Sequence, residues 1–105
     1  MTDILWAALL VDVKSYLHIT WVDTSTDSNI TGFINRGMAR LQTIAGVPLD
    51  FSLEDLPRTL LFDYCRYANS QALEMFENNF TSELMSLHIQ SQVDAMVDAV
   101  VIIWK

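Results

Sequence analysis

The sequence predicts an all-α fold, a small bundle of three to four helices with a C-terminal tail, on three observations. From Pro57 to Gln90 the chain carries no internal Gly or Pro, and Leu60, Leu61, Tyr64, Ala68, Ala72, Met75 and Phe76 recur at the i, i+3, i+4, i+7 spacing of one helix face. A second stripe, Ile30, Phe33, Ile34, Met38, Leu41 and Ile44, has the same period. With 51% hydrophobic residues in 105, the chain suffices for one core and leaves little room for a second. Residues 1–92 are therefore expected to form the bundle and 93–105 an apolar tail or last element.

The first helix is expected from about Asp3, a plausible cap, to Leu17, with Leu5, Leu9, Val13, Tyr16 and Leu17 on one side. Thr20 to Asn29 is rich in Thr, Ser and Asp, which compete for backbone hydrogen bonds, and reads as a loop. A second helix should begin near Asp27 or Ser28 and run to Ala45, where Gly46 is placed to stop it. Gly37, inside that helix, fits a close helix crossing or a subunit contact, and equally a tolerated surface glycine. Val47 to Phe51 is a connector, and Ser52-Leu53-Glu54-Asp55 is similar to a capping box, so the third helix starts there or at Pro57. Beyond the Asn78-Asn79 pair, a kink or a boundary, Phe80, Leu84 and Leu87 renew the apolar stripe.

The chain ends on exceptionally apolar residues, Ala99 to Trp104 before Lys105, where ends are usually polar. Val93, Met96, Val97, Val100 and Trp104 would share a helical stripe, but the β-branched run Val100 to Ile103 equally favours a strand. That segment either packs on its own core or becomes ordered on a partner. Neither it nor the run Ile4 to Val11 is long enough to span a bilayer, and Met1-Thr2-Asp3 lacks the positive charge of a secretory signal. An intracellular chain with no membrane association is expected.

Thirteen acidic against six basic residues give a formal charge of -7, which argues against phosphate neutralisation as a source of affinity. The four arginines, Arg36, Arg40, Arg58 and Arg66, are dispersed, so Tyr64, Tyr67, Phe76 and Phe80 read as core packing in preference to a nucleic-acid stacking platform. No catalytic constellation is legible. His18 stands alone, His88 has no metal-ligand partner at a recognised spacing, and Glu74 and Glu77 read as a charge stripe before an acid–base pair. Lone Cys65 allows no internal disulfide or thiol metal site and reads as a structural thiol. No catalytic residue, metal or cofactor is expected, and the protein is read as a non-enzyme.

Several segments, taken in order, resemble the small helical head-tail connector (adaptor, or head-completion) proteins of tailed bacteriophages. They are Asp12-Val13-Lys14-Ser15-Tyr16-Leu17, the helix ending at Ala45-Gly46, Leu56-Pro57, Asp63-Tyr64-Cys65-Arg66-Tyr67, Phe76-Glu77-Asn78-Asn79-Phe80 and Glu83-Leu84. The resemblance spans roughly residues 10–90 and rests on order and pattern. It implies a virion structural protein that binds beneath the portal protein as a ring, typically of twelve copies, extends the DNA channel and docks a stopper or tail protein. DNA would pass without specific binding.

The implied location is the head-tail junction of the virion, and the host cytoplasm during assembly. The tail residues Val100, Val101, Ile102, Ile103 and Trp104 would anchor on the portal. Arg36 and Arg40, the one compact basic spot, would meet a neighbour's Glu74 or Glu77 across the ring. Glu74, Glu77 and Glu83 are candidates for an acidic channel wall that repels phosphate, and equally for charge that keeps the chain soluble. The alternative from another class is a small helical regulatory or host-protein-binding module that uses the same apolar tail.

Overall fold

Side-chain caps and left-handed residues, more than glycine and proline, divide this chain into helices. The computed structural model describes the backbone of residues 3–104 and the side-chain environments of residues 3–97. Among them five helices follow one another: α1 (Asp3–Tyr16), α2 (Thr24–Ala45), α3 (Leu56–Asn69), α4 (Leu73–Asn79) and α5 (Thr81–Trp104). The all-α class holds, but the count exceeds the expected three to four because the stretch from Pro57 to Gln90 is broken twice.

The first break follows Asn69. Gln71 adopts φ 57°, its N–H bonds Ala68 O at 3.1 Å, and Ala72 N–H reaches back to Tyr67 O at 2.9 Å. This is the six-to-one and five-to-two pattern of a Schellman ending, with glutamine in the left-handed place that glycine usually takes. The end of α1 repeats it, with His18 at φ 61° and Ile19 N–H bonded to Lys14 O. The second break is the Asn pair's boundary: α4 stops at Asn79, and after Phe80 the Thr81 hydroxyl donates to Glu77 O and Asn78 O as α5 begins. Breaking the phase turns Met75 out to solvent, 48% exposed, while Phe76 stays buried.

The starts of α2 and α3 are set by aspartates. The Asp23 carboxylate accepts from Thr26 N–H and the Thr26 hydroxyl, so α2 begins at Thr24 and takes more than half of the expected 20–29 loop. Those bonds also hold Asp23 below the usual carboxylate range. Asp55, not Ser52, caps α3 through Leu56 N–H at 2.8 Å, because Ser52 is turned back onto Asp50. Pro57 lies in the first turn, where no intrahelical donor is lost. Gly46 ends α2 with φ 78° and its N–H on Gln42 O.

α2 and α3 cross at the centre of the core. Ile30, Ile34 and Leu41 of α2 meet Leu60, Leu61, Tyr64 and Cys65 of α3, all buried. Gly37 is buried at the crossing, and a Cβ there would lie 2.8 Å from both Leu61 Cδ1 and Tyr64 Cδ1. The close-crossing explanation is therefore the structural one. On one side α1 adds Leu9 and Val13; on another α4 and α5 add Phe76, Leu84 and Leu87, and among the described residues the backbones of α1 and α5 do not come close. Phe51, from the connector before α3, is also buried.

The aromatic residues pack on one another as expected. Phe76 meets Tyr64 edge-on at 5.4 Å, stacks on Phe80 at 5.0 Å and lies 5.8 Å from Tyr67. The Tyr67 hydroxyl accepts from Asn79 Nδ2. Such pairs contribute roughly 0.5–1.5 kcal/mol each beyond area burial.

Two substitutions test this account by urea denaturation followed by circular dichroism. Gly37→Ala is expected to destabilise the fold by about 1 kcal/mol, because overpacking costs about 1–3 kcal/mol and the helix-propensity gain offsets about 1. Gln71→Gly is expected to stabilise it by about 0.5–1 kcal/mol, since a non-glycine residue in the left-handed region costs roughly 1–2 kcal/mol and glycine's backbone entropy returns part of that.

Candidate functional site

The surface that distinguishes this bundle lies along α5. Its first half is anchored: Leu84, Leu87 and Ser91 are buried, and two side chains tie it to the end of α2. His88 Nδ1 lies 2.8 Å from Ile44 O, and Gln92 Nε2 donates to Ala45 O at 2.9 Å. These are carbonyls of the last turn of α2, which have no intrahelical partner. A carbonyl only accepts, so His88 carries its proton on Nδ1 in this contact. His88 is thereby a helix-end clasp, while His18 is the left-handed residue that closes α1.

A different face of α5 stays apolar and open. Met85, Ile89, Val93, Met96 and Val97 are each about half exposed or more, and every side chain from Gln92 to Val97 is exposed. The helix runs without interruption across residues 92 and 93 to Trp104. Between a helical and an extended C-terminal segment, the structure takes the helix. The side chains of Val100, Val101, Ile102, Ile103 and Trp104 lie outside the described residues.

The charged candidates are distributed differently from the ring arrangement. Arg40 and Glu77, expected to meet across neighbours, pair within one chain at 2.6 Å, joining α2 to α4. The short α4, created by the break at Gln71, brings Glu77 beside α2. Arg36 lies with its guanidinium 5.5 Å from the centre of the Phe33 ring. Glu74 and Glu83 are exposed. Arg40 and Glu77 are about half exposed, so their pair contributes little stability.

Sequence reasoning gave Arg58 no role beyond a dispersed charge. It is a partly buried hub: its guanidinium pairs with Asp12 of α1, reaches Glu54 at 3.4 Å, donates to Phe51 O and lies 4.7 Å from the Phe62 ring centre. Nearby, Tyr16 donates to Asp63 Oδ1 at 2.7 Å, and this bond raises the phenol above its usual range. Lys14 and Asp27 close the α1–α2 contact at 2.7 Å. Only partners distant in sequence, 46 and 47 residues apart for Arg58–Asp12 and Tyr16–Asp63, make these groups recognisable. Each is engaged in joining α1 to the core.

Cys65 is fully buried, and burial pushes its thiol up to about 12. Among the described residues no group of three or more His, Cys, Asp or Glu is placed to hold a metal ion, and no helix is long and apolar enough to cross a membrane. Comparisons with protein-family models, curated proteins and solved structures found no match for the chain.

Thiol chemistry reports directly on the buried Cys65. Iodoacetamide at pH 8 is expected to label the folded protein on the order of 100-fold more slowly than the urea-unfolded chain, as read by mass spectrometry. Above the ordinary thiol range, near pH 8.5, the unfolded chain ionises Cys65 while the fold keeps it protonated toward pH 12. The thiol's contribution therefore lowers stability as pH rises through that window.

Proposed function

We propose that this chain is a structural, non-catalytic connector of a tailed-phage virion, which assembles as a ring beneath the portal and docks the next head-completion or tail protein. The observation that carries the reading is the course of α5. Its N-terminal half is bound to the bundle, whereas its continuation keeps Val93, Met96 and Val97 in solvent and leads into the apolar run Val100 to Trp104. A helix continuation whose Val93, Met96 and Val97 are not used by the core is suited to a partner.

The segmental resemblance over residues 10–90 supplies the portal as that partner. The acidic balance supports a channel-side role, because a wall of like charge disfavours lasting contact with passing DNA. With Arg40 and Glu77 closed on each other inside the chain, Arg36 is the basic residue left for a subunit contact at that spot. Glu74 and Glu83 are the exposed acids free of the pair. No cofactor takes part in this reading.

Sedimentation velocity of the full chain and of a version truncated before Val100, each with the cognate portal oligomer, tests it. The full chain should co-sediment at a ring-like stoichiometry and the truncated one should not. Binding by both keeps the connector and removes the anchor from Val100 to Trp104. Binding by neither overturns the connector reading, and a dimer or one-to-one complex with a host protein then favours the regulatory module.

A further inference from the structure

An apolar groove opens where α5 passes the end of α2. Ile44, Leu84, Met85 and Ile89 line it, Thr81 and His88 give it polar edges, and its volume is about 440 Å³. Met85 and Ile89 are 59% and 56% exposed. The stripe does not end there, since Val93 and Met96 continue it at the i+4 and i+3 steps that keep one helix face. A lane of this length matches an amphipathic helix laid along a groove, which presents its own anchors at i, i+3, i+4 and i+7.

Charge decides what kind of helix. Glu77 stands at the groove in its pair with Arg40; the acids Glu83 and Asp94, in no ion pair among the described residues, lie along α5 outside the groove lining, and no Lys or Arg occurs between Thr81 and Trp104. Of the Lys and Arg in the described residues, Lys14, Arg40, Arg58 and Arg66 are held in ion pairs within the chain, which leaves Arg36. A second copy would thus bring acid to acid with almost no cation to offset it, at a net charge of -7 per chain. We infer that the groove accepts an amphipathic helix from a different protein, one whose apolar stripe is flanked by Lys and Arg. This inference does not rest on the connector reading, since it uses residues 44 and 77–96 and requires no portal.

Two synthetic helical peptides provide the test, sharing one Leu stripe and differing only in Lys or Glu flanks, with fluorescence anisotropy against the full chain. The Lys-flanked peptide is expected to bind at least about tenfold more tightly than the Glu-flanked one, with the gap closing as salt rises. Ile89→Glu and Met85→Glu, both at exposed positions, should each weaken that binding about tenfold although each adds a negative charge. The double change Glu83→Lys with Asp94→Lys should narrow or reverse the flank preference. Circular dichroism confirms that each variant remains helical.

Equal binding of the two peptides, or binding of neither, would overturn the inference. So would Lys-flanked binding that survives Ile89→Glu, which marks diffuse attraction to an acidic protein. Self-association of the chain that Ile89→Glu abolishes would assign the groove to a second copy instead.

Discussion

The near contact of α2 and α3 at Gly37 is the constraint on which the bundle depends. With hydrogen in place of a side chain, Leu61 and the Tyr64 ring approach the α2 backbone to a distance that a methyl group would forbid. That approach fixes the positions of Leu60, Leu61 and Cys65 against Ile30, Ile34 and Leu41, and every other helix packs on the result. Tyr64 then serves two neighbours, since its ring also meets Phe76, so the crossing sets the seat of α4. The helix-propensity cost of a mid-helix glycine, about 1 kcal/mol, is small beside the dispersion and apolar burial that close packing secures.

The outer helices are fastened differently. α1 contributes Leu9 and Val13 to the core, but its placement is specified by directional contacts from Arg58, Asp63 and Asp27, each meeting a partner on α1. α5 is fastened at the end of α2, where His88 and Gln92 satisfy carbonyls that would otherwise lack a partner. Apolar packing thus holds the centre, and polar contacts set the orientation of what surrounds it.

The contrast between local and distant determinants explains what the sequence disclosed. The helical class, the α2 stripe, the stop at Gly46, the boundary at Asn78-Asn79 and the mutual packing of the aromatic residues all rest on patterns within a few residues, and all were legible. The break after Asn69 was not, because a left-handed glutamine carries none of the signal that Gly or Pro would give; the same holds for His18. The start of α2 was placed three or four residues late because Asp23 acts as a cap only through Thr26, inside a run of equally polar candidates. At the surface, the exposed apolar lane of α5 was visible only as the C-terminal half of a stripe. Its groove requires Ile44, and the pairing of Arg40 with Glu77 requires the break that creates α4.

The continuity of α5 has a consequence in helix–coil terms. An isolated helix must first form a nucleus, an unfavourable step, and β-branched residues such as Val93 and Val97 propagate it poorly. Here the nucleus already exists, held between Leu84 and Ser91 by the bundle, so the outer turns need only add one hydrogen bond per residue. Amide protection should accordingly decline along the helix from Ser91 toward Val97 as a gradient of local opening, not as a single cooperative step. A partner arriving at this lane meets a helix already begun and has only its outward growth to complete.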